Sequence, residues 1–260
     1  MSRIALITGA SRGIGRELAF LFARDGISVV LVARSENDLR EVSLAIRQTC
    51  AVPVHIIPLD LSVPGSQTVI ADYCREHQLH ISSLVNNAGF GDYGAFAAAD
   101  WRRQQDMINV NIMVLTALTR EFLPRMLEQG HGRILQLASA AAFVPGPLMS
   151  VYFATKAYVL SFSEALSAEL RHTGVTVTAL CPGPTASGFQ EAASLGRSVL
   201  YNRHPIPSSA TVARYGYHAM MNGKPVAIQG WTNRLMVLAV RLVPRSMVRS
   251  MSLMLQKSGH

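Results

Sequence analysis

Apolar and polar positions along this chain fall into two alternating periods. Short, nearly unbroken apolar runs at residues 3–7, 28–32, 54–58, 83–86, 132–137, 175–179 and 225–228 read as strands. Between them apolar positions recur every three to four residues, and the spacing predicts helices over about 14–24, 36–48, 67–77, 101–127, 150–171 and 211–221. Strands that alternate with helices in this way belong in a parallel sheet covered by helices on both sides. The expected fold is therefore α/β and doubly wound, with seven strands and a ligand cleft outside their carboxyl ends.

Composition sets the scale. With 260 residues, 49% hydrophobic and 15% charged, the chain can bury one large core as a single domain. No linker, repeat or low-complexity tract interrupts it. Cys50, Cys74 and Cys181 lack paired spacing, which points to neither a disulfide framework nor a zinc site and suits a reducing, cytoplasmic compartment. The first apolar run is too short, and too soon followed by Gly9, for a secretory signal, and no run approaches the roughly 18 apolar residues of a membrane span.

Charge changes the picture only at one end. The net charge is +8, yet after Glu191 there is no acidic residue and there are nine basic ones, Arg197, Arg203, Arg214, Lys224, Arg234, Arg241, Arg245, Arg249 and Lys257, which leaves −1 for residues 1–191. The basicity belongs to the C-terminal quarter, so the body has no general nucleic-acid-binding character.

Five separately spaced motifs carry candidate chemistry. Gly9-x-x-x-Gly13-x-Gly15 follows the first strand and opens the first helix, the setting that brings phosphates against backbone N–H groups and the positive end of a helix. Asn86-Asn87-Ala88-Gly89 closes the fourth strand, Asn111 sits alone in the helix expected over 101–127, and Ser139 stands thirteen residues before Tyr152. Tyr152 and Lys156 are four apart and share one helical face. A phenol ordinarily titrates near about 10, and a neighbouring ammonium favours its phenolate, which brings acid/base work toward neutral pH. In their order and setting these motifs resemble the short-chain dehydrogenase/reductase family, over a stretch running from Arg3 to about Gly230.

The resemblance implies a Rossmann-type catalytic domain at 1–230, with 231–260 left as an extension. It implies a nicotinamide dinucleotide held by Gly9, Ser11, Arg12, Gly13, Ile14 and Gly15, with Asp60 and Leu61 at the adenine and Asn87, Ala88 and Gly89 beside the adenosine ribose. Pro182, Gly183, Thr185 and Ser187 resemble the family's loop against the nicotinamide carboxamide; Ser187 stands where Thr is common, keeping the hydroxyl and losing a methyl, and Thr185 can share its role. Four catalytic roles follow from the resemblance. Tyr152 exchanges a proton with the substrate oxygen and Ser139 hydrogen-bonds that oxygen. Lys156 binds the nicotinamide ribose and lowers the Tyr152 pKa, and Asn111 anchors a water leading from Lys156 toward solvent. The second strand ends in Ala33-Arg34, without the acid that would receive a ribose 2′-hydroxyl. Arg34 and Arg12 suit a 2′-phosphate, so NADP(H) is preferred over NAD(H).

Phe90, Phe143, Met149 and Phe189 are the candidate substrate contacts, although ordinary packing accounts equally well for Phe90 and Phe143. These borders are mostly apolar and suit a lipophilic ketone, aldehyde or secondary alcohol. Beyond Gly230, Leu235, Leu238, Leu242 and Val243 alternate with Arg234, Arg241, Arg245 and Arg249, and Pro244 breaks the segment. This basic amphipathic extension has two open readings: contact with an anionic membrane surface, or packing on the body or across a homodimer or homotetramer interface. Without interleaved aromatics, nucleic acid ranks behind both. The expected function is hydride transfer between NADP(H) and a lipophilic carbonyl/alcohol pair. The alternative is a dinucleotide-binding sensor or scaffold without significant turnover, against which the joint presence of Asn111, Ser139, Tyr152 and Lys156 argues.

Overall fold

A computed structural model of the chain describes residues 3–186, 188 and 206–257. Strands β1 (Ile4–Thr8), β2 (Ser28–Ala33), β3 (Val54–Pro58), β4 (Ile81–Asn86), β5 (Gly132–Leu137), β6 (Val175–Cys181) and β7 (Val226–Ile228) form one sheet in the order β3-β2-β1-β4-β5-β6-β7. Every neighbouring pair is parallel. This is the doubly wound, seven-stranded arrangement that the alternating pattern predicts, with strand bounds shifted by a residue or two.

The strands are apolar throughout because both faces are covered. Ala5 and Ile7 of β1 and Val29 and Leu31 of β2 face one layer, built by α1 (Gly13–Arg24), α2 (Glu36–Thr49) and α7 (Ser209–Met221) through Leu18, Phe22, Leu39, Ile46 and Val212. The residues between them, Leu6, Val30 and Val32, face the other layer, where they meet Ile70 of α3 (Ser66–Glu76) and Leu118 and Met126 of α5 (Leu115–Glu128). Each such fully buried side chain contributes about 1.5–3 kcal/mol. The strand order reverses between β1 and β4, so the loops leaving these two strands part to opposite sides and open a crevice at their carboxyl ends.

The single helix expected over 101–127 is instead three pieces. Helix α4 (Trp101–Ile108), capped by the Asp100 carboxylate accepting from Arg102 N–H at 2.9 Å, passes into a wider π-type turn at Asn109–Val114 before α5 begins. Such a turn re-aims the side chains within it. Here it holds Asn111 inward, only 1% exposed. Helix α6 (Ser150–Glu169) carries Tyr152 and Lys156 on its buried face.

Past β7 the chain continues as α8 (Trp231–Leu242) and α9 (Arg245–Lys257), separated at Val243 and Pro244. Both helices contribute walls to the crevice, and Tyr93 O–H donates to the Gln256 carbonyl at 2.9 Å, tying the end of α9 to the loop after β4.

Candidate active site

The loop after β1 is shaped by close approach. Gly9 has φ +64°, and a Cβ there would lie 2.8 Å from Asn87 Nδ2; at Gly15 a Cβ would run into the Gly9 carbonyl oxygen. Asn87 draws the loop in, its Nδ2 donating to the Thr8 and Gly9 carbonyls at 2.9 and 3.1 Å. Thr8 Oγ1 in turn accepts from the Asn87 and Ala88 N–H groups, both at 3.0 Å. Helix α1 then starts with no side-chain cap and no acidic residue in its first turn. Bare backbone at an uncapped helix N-terminus fits a pyrophosphate. Gly13, at φ +58°, and half-buried Ser11 lie on this loop, whereas Ile14 is buried and lines the crevice.

Arg12, just before α1, and Arg34, just past β2, are exposed. Burial pushes the Asp60 carboxyl up, but the Ser62 backbone and side-chain hydrogen bonds and the nearby Arg34 charge outweigh it and hold the group below its ordinary value. Leu61 is buried in the core beneath.

The candidate catalytic side chains come from the loop after β5, from α6 and from the π-type turn. Ser139 follows β5, and its Oγ accepts from Ala141 N–H at 3.1 Å, which fixes the oxygen and leaves the hydroxyl proton as a donor. Ala140 N–H donates to the Pro182 carbonyl at 2.8 Å, joining this turn to the loop after β6. Tyr152 is buried beside Met107 and Met149. Lys156 Nζ lies 5.8 Å from the centre of the Tyr152 ring and donates to the Leu137 carbonyl at 2.7 Å. Burial brings the Lys156 pKa down to about 8. The nearby Cys181 thiol offers it no counter-charge, being pushed up to about 12 by burial and then by the Glu164 carboxylate.

Asn111 braces the floor. Its Nδ2 donates to the Phe90 carbonyl and to Thr155 Oγ1, both at 3.0 Å, and its Oδ1 accepts from Phe90 N–H at 3.2 Å. A Cβ on Gly89 would meet Asn111 Oδ1 at 2.9 Å and Lys156 Nζ at 3.4 Å, so both side chains converge above that glycine.

These groups share a cavity of about 390 Å³. Ser139, Tyr152, Lys156, Asn87, Gly89, Pro182, Gly183 and Thr185 line it, and most of the remaining wall is apolar. Of the substrate candidates, Met149 is on this wall. Phe90 packs with Met107, Met149 and Tyr152 under the Arg103 guanidinium, and Phe143 packs beside Val159 and Leu160; neither is among the lining residues. Ser187 and Phe189 lie outside the described residues. Sequence reasoning missed most of the roof, formed by Asn233, Met236 and Val240 of α8 and Val248, Met251 and Gln256 of α9. The apolar half of the α8 period was the only available signal, and periodicity does not say what a face covers.

A parallel sheet with a bare glycine loop at its switch point, and a Ser, Tyr and Lys beside it, defines a dinucleotide-binding oxidoreductase. The sequence model for short chain dehydrogenases matches residues 3–197. The very-long-chain 3-oxoacyl-CoA reductase of Anas platyrhynchos is 33% identical over 237 residues, covering 87% of this chain and 73% of that protein. A short-chain dehydrogenase from Sphingobium yanoikuyae, solved in complex with NADPH, is 30% identical with a TM-score of 0.82, covering 93% of this chain and 94% of that one. One from Burkholderia phymatum, solved with NAD, is 26% identical with a TM-score of 0.80, covering 93% and 92%. This chain belongs to the short-chain dehydrogenase/reductase family.

Proposed function

We propose that the protein transfers a hydride between NADP(H) and a lipophilic ketone, aldehyde or secondary alcohol, with Tyr152 as the general acid/base. The observation that carries this reading is Ser139, Tyr152 and Lys156 together on the wall of an otherwise mostly apolar cavity that reaches the 9–15 loop.

The dinucleotide would be held by the backbone from Gly9 to Gly15, by the 87–89 segment, by Lys156 and by Pro182, Gly183 and Thr185. When bound, its nicotinamide supplies the hydride acceptor or donor. In the reductive direction Tyr152 gives its proton to the substrate oxygen as charge develops there; in the oxidative direction the phenolate takes that proton back. Ser139 directs its hydroxyl proton to the same oxygen, an interaction that strengthens as the oxygen becomes anionic. Lys156, fixed by the Leu137 carbonyl, favours the phenolate with its charge. Asn111 is a positioning residue that ties the turn after α4 to α6 and to the loop after β4.

The relatives solved with NADPH and with NAD leave the choice of dinucleotide to this chain's own residues. Arg34 stands where an acid would select a 2′-hydroxyl, and it suits a 2′-phosphate. The apolar wall, and a relative named for very-long-chain 3-oxoacyl-CoA reduction, support a lipophilic substrate. Fluorescence titration tests the cofactor: Arg34→Ala should weaken NADPH binding about 10- to 100-fold, the range for a hydrogen bond to a charged group, and leave NADH binding unchanged. An equal effect on both nucleotides, or none on NADPH, would contradict the NADP(H) assignment.

A further inference from the structure

We infer that the outer face of α8 and α9 is a docking surface for an anionic lipid bilayer. Trp231, Leu235, Leu238 and Leu242 recur at helical spacing along one stripe of α8, and all four are exposed, Trp231 by 75% and Leu242 by 87%. On the opposite stripe Met236 and Val240 line the active-site cavity, as does Val243 just past the helix end. In α9, Val248, Ser252 and Gln256 line the same cavity, while Met247 faces out. Met251 does both, being 57% exposed and part of the cavity wall, so the outer apolar surface continues into the site at this rim.

Charge selects the occupant. The side chains of Arg241, Arg245 and Arg249 are exposed and make no hydrogen bond or ion pair with another described residue, and no acidic residue occurs anywhere after Glu191. A second copy of this face would set arginine against arginine with no carboxylate to answer it. Anionic headgroups answer the arginines, and the acyl region beneath them takes Trp231 and the leucines. Helices of 12 and 13 residues are too short to span, so they lie in the interface. Among the described residues no helix is long and apolar enough to cross a membrane. The docking inference stands on this surface alone and holds whatever the site reduces.

Co-sedimentation of the full chain with vesicles tests it. The protein should pellet with phosphatidylcholine/phosphatidylglycerol vesicles and much less with phosphatidylcholine alone. Replacing two arginines, Arg241→Gln with Arg245→Gln, should lower the partition coefficient about 25-fold, at about fivefold per basic residue near an anionic surface. Leu238→Ser with Leu242→Ser should weaken binding to the same vesicles even at low salt. All four side chains are exposed and off the cavity wall, so unchanged unfolding midpoints are expected for both variants. No pelleting of the wild type would overturn the inference, as would equal binding by both variants. So would self-association in gel filtration that Leu238→Ser/Leu242→Ser abolishes without any vesicle binding, which would assign the face to a second copy.

Discussion

Lys156 is buried and held by the Leu137 carbonyl. The proposed chemistry needs its ammonium charged beside Tyr152, yet burial brings its pKa down to about 8. The group is charged below that value and neutral above it, so in the free enzyme kcat/KM for ketone reduction should fall as pH rises through about 8. Lys156→Arg, whose guanidinium stays protonated, should carry that limb upward even if the plateau is lower; a limb that does not move would place the titration elsewhere. Ser139→Ala should cost about 100- to 1,000-fold in kcat, the range for losing one donor to a developing oxyanion, with dinucleotide affinity unchanged by titration. That Tyr152 and Lys156 share one helical face was legible in their spacing, and the structure sets both on the cavity wall with Ser139, which the family resemblance singles out. The places of Phe90 and Phe143 were not legible, because an aromatic near a site packs as readily as it binds, and the structure holds both in side-chain clusters.

At the scale of elements, the sheet and its flanking helices could be read from periodicity, since continuous apolar strands require cover on both faces. The break between α4 and α5 could not. Nothing in the apolar period over 101–127 distinguishes an α-helix from one with a wider turn; the deciding force is Asn111, whose amide is satisfied only by partners on the β4 loop and on α6. Nor did the sequence show that Asn86, Thr119 and Gln136 form a buried polar knot, with Asn86 Nδ2 donating to Gln136 Oε1 at 3.0 Å and Gln136 Nε2 to Thr119 Oγ1 at 2.9 Å. The glycine loop makes a sharper prediction. Because a Cβ at Gly15 collides with backbone, Gly15→Ala should destabilise the fold by about 1–3 kcal/mol in urea unfolding and abolish NADPH binding. Wild-type stability and affinity would show that the loop has slack the structure does not display.

For the molecule as a whole, the extension joins the site rather than trailing from it. Its end is held by the Tyr93 hydroxyl on the Gln256 carbonyl, one bond worth about 0.5–1.5 kcal/mol. Tyr93→Phe should therefore speed hydrogen exchange in α9 and leave β1, β4 and β5 protected; uniform acceleration would mean that α9 opens only with the whole fold. Reduction of a lipophilic carbonyl in this cavity, with Tyr152 as the acid, is checked by following NADPH oxidation with a set of bulky lipophilic ketones, wild type beside Tyr152→Phe, with NADPH binding measured in the same samples. The wild type should turn over, the variant should lose about 100-fold or more, and both should retain NADPH binding. Undiminished turnover by Tyr152→Phe, or a wild type that binds NADPH and oxidises it with none of these ketones, would contradict this function.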